Sequence, residues 1–325
     1  MRLLIRILAA VFLLGLAFPL FGADERLEPA RAGAPGVEAK TEEAGIPPAA
    51  PTVFHIGKLP ITNSMLVTWV VALAVIIFAQ MATRNMKPVP EGAQNFWEWL
   101  VEGLYNFLEG IVGPDLVKKT FWFFATIFIF ILFTNWFGLI PGVGTIGWGH
   151  PAPGGGTFLG LVSLDHVKQP LLRPGNADLN MTFAMAGVFM VLWLVWALQS
   201  NGIWGFTLHI FGPKGESTGF IKYFMIVIFF AVGFLELISI AFRPISLSFR
   251  LYGNVFAGDN LLEAMSNAVQ HPAWARSVFG VLLPVPFYFL EILVGLVQAF
   301  VFMLLTTVFT ALICSHEEEH PKHAH

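Results

Sequence analysis

The sequence predicts an all-α membrane protein with five transmembrane helices and one interfacial amphipathic helix, the last two spans being long and tilted. Three observations carry that expectation. Of 325 residues, 56% are hydrophobic and only 12% are charged, against about 25% charge in ordinary soluble domains. Mean hydropathy is +0.71. The charges are clustered, leaving uncharged stretches of the roughly 20 residues that a helix needs to cross hydrocarbon. A net charge of −3 supplies no basic face for nucleic acid, and the lone Cys314 excludes a disulfide framework or a thiolate metal cluster.

Residues 1–23 read as a signal peptide, because Arg2 and Arg6 precede an apolar run over 7–22 and Asp24, Glu25 and Arg26 follow it. Phe21 stands where a cleavage site prefers a small residue, so an uncleaved anchor is the alternative; either sends residue 24 onward outside. Residues 24–52, rich in Ala, Pro, Gly and Glu, lack core-forming side chains and read as a flexible exported arm. The membrane domain then occupies 53–315 and a His/Glu-rich cytoplasmic tail 316–325.

Uncharged runs at 65–82, 121–141 and 181–203 are the first three spans. Between the first two, residues 91–111 place Phe96, Leu100, Leu104, Phe107 and Ile111 at helical spacing among Glu91, Glu98, Glu102 and Glu109. That pattern suits a helix lying in the membrane interface, with a short helix packed on protein as the alternative. The fourth stretch, 223–262, is too long for an upright crossing, and Pro244 is expected to bend it. The fifth, 278–314, holds one charge, Glu291. With the arm outside, one set of loops carries Arg84, Lys87, Lys118, Lys119, Lys214, Lys222 and Lys322, and the other Lys58, Lys168, Arg173 and Arg276. The richer set belongs in the cytoplasm, and the C-terminus with it.

Charge inside a span carries the functional signal, since it costs at least about 2.5–3.5 kcal/mol at mid-depth. Residues 242–259 read FRPISLSFRLYGNVFAGD. Arg250 lies well inside this apolar helix, and Ser246, Leu247, Gly253, Asn254 and Ala257 share its face, small enough for another helix to approach. An ion pair with a carboxylate of its own chain is the alternative use of that arginine. The last helix offers Glu291, Gly295, Gln298 and Phe302 at helical intervals. If it runs antiparallel with Gln298 level with Arg250, Glu291 falls level with Ala257, within a turn of Asp259. Glu236 precedes Arg250 by 14 residues, about 21 Å along a helix, with Ser239 and Ser246 between. The order carboxylates, arginine, carboxylate suggests an ion path interrupted by a fixed positive charge.

These segments resemble subunit a of the F-type ATP synthases, as do EILVGLVQAFVFMLLTTVF in the last helix, HIGKLPITNSM, TNWFGLIPG and NADLNMTFAMA; the similarity spans roughly residues 54–315. The resemblance implies that Arg250 takes the place of the family's essential stator arginine, Gln298 that of its glutamine neighbour and Asn254 that of the adjacent polar residue. It places Asn135, Asp178, Asp259 and Glu291 at inlet half-channel positions and Glu236, Ser239 and Ser246 on the outlet side. Asp259 is often Glu in relatives or preceded by His, and Glu291 is His in some, which bears on the relay chemistry. The implied partners are a c-subunit ring, a b-subunit peripheral stalk, the rest of the synthase and the lipid bilayer of a bacterial inner membrane. No resident cofactor is implied, and covalent ATP chemistry would belong to other subunits.

Two rivals come from other classes. His316, Glu317, Glu318, Glu319 and His320 match the HExxH zinc pattern of a metalloprotease, but the motif follows the last span, stops at Pro321 and lacks a third ligand on a buried helix. A secondary transporter would also use an intramembrane arginine, yet such chains usually carry paired internal repeats, and none is found here.

Overall fold

The computed structural model describes residues 50–56, 59–140, 173–212, 220–266 and 272–314, together with short pieces at 147–148, 157–158, 162–163, 169–170 and 268–269. The expected signal peptide, most of the exported arm, the glycine-rich stretch 153–156 and the His/Glu tail lie outside the described residues.

A hairpin of β1 (Thr52–Ile56) and β2 (Leu59–Thr62) precedes the first helix, with Ile56 opposite Leu59. The sequence reading assigned no strand here, although β-branched and aromatic residues alternate through TVFHI. Two further two-residue ladders occur in the connection after the second span: β3 (Gly147–Trp148) with β6 (Gln169–Pro170), and β4 (Thr157–Phe158) with β5 (Val162–Ser163).

Helix α1 (Asn63–Thr83) starts where the Thr62 hydroxyl accepts from the Met65 amide at 3.4 Å. Helix α2 (Ala93–Gly138) is two helices joined at Gly113, whose φ of 78° breaks the ladder just before Pro114. The first half is the segment expected to be amphipathic. It buries Trp97, Leu104 and Leu108, while Phe96 and Phe107 of the apolar stripe are exposed. Phe78 of α1 meets Phe96 and Trp97 edge-on, and Phe107 meets Phe300. The second half is buried nearly all round, from Phe123 to Leu132. Helix α3 (Leu179–Phe211) breaks at Gly202 (φ 67°), at the end of the expected third span.

Helix α4 (Phe220–Ser266) runs 47 residues, about 70 Å at ~1.5 Å per residue. That is over twice the ~30 Å of hydrocarbon, so a steep tilt is required. It continues helically through Pro244, where the sequence predicted a bend; the Ser248 hydroxyl donates to the Pro244 carbonyl at 2.7 Å and also reaches that of Thr182. The last apolar stretch is divided: α5 (Ala273–Leu282) ends at Leu283, and α6 (Pro284–Cys314) begins on a proline, which needs no backbone donor in a first turn.

The core forms where α2, α3 and α6 meet. Trp122, Phe123, Phe124, Phe189 and Trp196 pack ring against ring. Thr306, Thr307 and Thr310 return their hydroxyls to carbonyls of α6 itself, letting neighbouring helices come close. Helix α4 packs on α3 along one side and adds Ile240, Leu247, Leu251 and Val255 to this core, yet only 11% of its most apolar window is buried. A long apolar helix so little covered presents one side to lipid or to another chain. Among the described residues, five helices are long and apolar enough to cross a membrane, as the sequence predicted.

Candidate ion-conducting site

Helices α4 and α6 run antiparallel, and three contacts fix their register. The Asn254 amide donates to Gln298 Oε1 at 2.7 Å. Gly258 lies against the Glu291 carboxylate, so close that a Cβ there would collide with it. Further along, the Arg243 guanidinium stacks 4.4 Å above the Phe309 ring and 5.5 Å from Trp193. The expected antiparallel pairing is present: Glu291 lies against Gly258, one residue from the Ala257 that the spacing named, and the buried Gln298 side chain accepts from the exposed Asn254, one turn from Arg250.

Around Gln298 a small cavity opens, lined by Asn135, Asn254, Asp259, Glu291 and Gln298, with Pro174 closing one side. Asn135 is buried and reaches it from α2; its Nδ2 donates to the Gly295 carbonyl at 3.1 Å and its Oδ1 accepts from Asn176 at 2.7 Å. That approach needs a glycine at 295, where a Cβ would stand 3.2 Å from Asn135 Cβ. Glu291 is 9% exposed. Asp259 Oδ2 is buried and meets no donor among the described residues. These side chains supply polar oxygens in an otherwise apolar bundle.

Asp178 stands one layer out. Its Oδ1 caps α3 through the Asn180 amide at 3.0 Å, and its Oδ2 accepts from the Ser64 hydroxyl at 2.6 Å. Asp178 therefore joins α1 to α3 at the edge of the cavity. Beside it Arg173 is 2% exposed and donates to the Ala177 carbonyl at 3.1 Å. Burial lowers the Arg173 pKa, and the opposing charges of Asp178 and Asp259 hold it up. Sequence reading treated Arg173 only as a loop charge and missed Ser64, Asn176 and Gly258. Asn176, Ser64 and Gly258 sit in the quoted NADLNMTFAMA, HIGKLPITNSM and FRPISLSFRLYGNVFAGD runs, but nothing in the sequence marks their contacts.

Arg250 is exposed on α4 and forms no ion pair or hydrogen bond with any described residue. Its face continues through the exposed Ser239, Ser246 and Ala257. Glu236, partly buried, lies further back along the helix. The cavity thus gathers Asn135, Asn254, Asp259, Glu291 and Gln298, while Arg250, Ser239 and Ser246 line the open side of α4. An uncompensated guanidinium on a mid-span surface demands a counter-charge from outside the described residues.

Comparison with known proteins shows the family. The family described as "ATP synthase A chain" matches residues 65–311. The chain belongs to the ATP synthase A chain family. ATP synthase subunit a of Moorella thermoacetica is 28% identical over 259 residues, covering 80% of this chain and 94% of that protein. The corresponding subunit of Desulforamulus reducens is 30% identical over 270 residues, covering 82% and 85%. A Propionigenium modestum relative named "ATP synthase subunit a, sodium ion specific" is 29% identical over 254 residues, covering 77% and 73%. As a member of the A chain family with five long apolar helices, the protein is a multi-pass membrane protein.

Proposed function

We propose that the chain is the stator subunit a of an F-type ATP synthase, offering two offset proton half-channels to a rotating ring of carboxylate-bearing c subunits. The observation that carries this reading is Arg250, a mid-span guanidinium without a partner among the described residues, one helical turn from the polar cavity. The open face of α4 is where the ring would pass, and each ring carboxylate in turn would supply the missing counter-charge. A proton enters from outside past Asp178 and Asn135, is held by Asp259 or Glu291, and neutralises a ring carboxylate. After nearly a full rotation that carboxyl meets the outlet near Ser246, Ser239 and Glu236 and loses its proton inward. Arg250 keeps the site between the channels ionised and blocks a direct leak. Asn254 and Gln298, bonded to each other, hold the two helices together beside it.

The subunit forms no covalent bond itself; its contribution is electrostatic. It works with a b-subunit peripheral stalk in a bacterial inner membrane, its N-terminal arm outside and C-terminus in the cytoplasm, as the basic-residue asymmetry indicates. The first half of α2 lies along the interface on the cytoplasmic side. The test is Arg250→Ala and Arg250→Lys in the assembled synthase. Both are expected to abolish ATP synthesis driven by a pH gradient in sodium-free vesicles, Lys because a point charge lacks the planar fork. Synthesis at near-wild-type rate by Arg250→Ala would overturn the assignment, and strict dependence of the wild type on sodium would overturn the proton reading.

A further inference from the structure

Glu263 has no part in the path described so far. It lies one turn beyond Asp259 on α4, at the i+4 position and hence on the same face, about 6 Å further along the axis. Its Oε2 is buried and meets no hydrogen-bond donor among the described residues, as is true of Asp259 Oδ2. Glu291 comes up to Asp259 from α6: it is 9% exposed, packed against Gly258 and hydrogen-bonded to no described residue. Asp259 is within Coulombic reach of both Glu291 and Glu263.

Helix stability does not account for Glu263. It occupies the last turn of α4, where the Ser266 hydroxyl donates to its carbonyl at 2.8 Å and where the helix dipole opposes a negative side chain. Nor does it form an ion pair with any base among the described residues. The carboxylates are strung along two helices, and among the described residues no three His, Cys, Asp or Glu converge to hold a metal. The charged and titratable groups about the pair are Glu291 and Tyr288 from α6, Tyr252 on α4 itself, and Arg173 from the segment before α3.

We infer that Glu263 is the outer proton-collecting carboxylate of the inlet half-channel, receiving protons from external water and passing them to Asp259 and then Glu291. In each cycle the Glu263 carboxylate takes a proton from hydronium or a buffer acid, releasing water or the conjugate base. Its O–H bond then breaks as an O–H bond forms on the Asp259 carboxylate, and Glu263 returns to its ionised form. This inference rests on the half-channel reading above. It explains why the outer end of an apolar helix keeps a second carboxylate one turn from the first.

The experiment uses the complete ATP synthase in liposomes, with Glu263→Gln and Glu263→Asp variants. ATP synthesis is measured at constant proton-motive force while the inlet pH is varied. Near inlet pH of about 8, Glu263→Gln is expected to be about tenfold slower than wild type, equivalent to ~1.4 kcal/mol of added barrier. Near pH of about 5.5 the variant approaches wild type, because dense protons load Asp259 without a collector. Glu263→Asp keeps the acid and is expected to lose only about two- to threefold at the alkaline end. If Glu263→Gln fails to assemble, the same inlet-pH dependence must appear in Glu263→Asp. A loss equal at every inlet pH would reveal a structural role, and wild-type rates throughout would remove Glu263 from the path; either overturns the inference. Arg250→Ala in the same vesicles separates the two readings: synthesis by that variant strikes the channel itself, whereas its silence beside an unaffected Glu263→Gln strikes only the collector.

Discussion

Gly258 occupies the closest approach of α4 to Glu291, and adding one methyl there is a sharp test of the inlet. An alanine Cβ would overlap Glu291 Cδ and both carboxylate oxygens. Because Glu291 is 9% exposed and hemmed in by the cavity wall, its carboxylate must swing away from Asp259 or the helices must part. Overpacking of this kind typically costs about 1–3 kcal/mol of stability, which an assembled membrane bundle tolerates. The functional loss is larger: displacing a reacting group by ~1 Å costs on the order of 100-fold in rate. ATP-driven proton pumping by inverted vesicles is therefore expected to fall about 100-fold in Gly258→Ala, toward the level of Glu291→Gln. Combining Gly258→Ala with Glu291→Asp retracts the carboxylate by one methylene and is expected to recover part of the rate. Wild-type pumping by Gly258→Ala, with normal subunit incorporation, would refute the argument that Glu291 acts where the structure puts it.

Topology and the α2 kink give two further tests. Cysteines placed at Ala34 and Ala324 are expected to react with a membrane-impermeant maleimide from opposite sides, Ala34 from outside in spheroplasts and Ala324 only in inverted vesicles; Cys314, being buried, gives little background, and the reverse pattern would exchange inlet and outlet. Gly113→Ala forces a side chain into a φ of 78° and ψ of 168°, so it is expected to destabilise by about 1–3 kcal/mol and lower the melting temperature. Gly110→Ala, with open space around it and an ordinary helical position, is expected to be neutral or stabilising by up to ~1 kcal/mol.

The sequence by itself determined which segments are membrane helices, since apolar length is a property of the chain alone and an unsolvated backbone must satisfy its hydrogen bonds within each segment. It also singled out Arg250, Asp259, Glu291 and Gln298, because charge and amide groups in apolar helices are costly enough to be conspicuous. It left open what depends on neighbours. Of the first α2 half, Trp97, Leu104 and Leu108 pack inward, because α1 and α6 decide which apolar side is covered. The Gln298 side chain bonds to Asn254, one turn from Arg250, while Glu291 lies against Gly258, next to the expected Ala257. The helix breaks fall at Gly113, Gly202 and Leu283. Ser64, Arg173 and Asn176 joined the site only in the tertiary structure, where the turn before α3 folds them inward against Asp178 and Asn135. Side chains on different helices acquire a common environment only when packing fixes helix register and rotation, and neither quantity is written in any one segment.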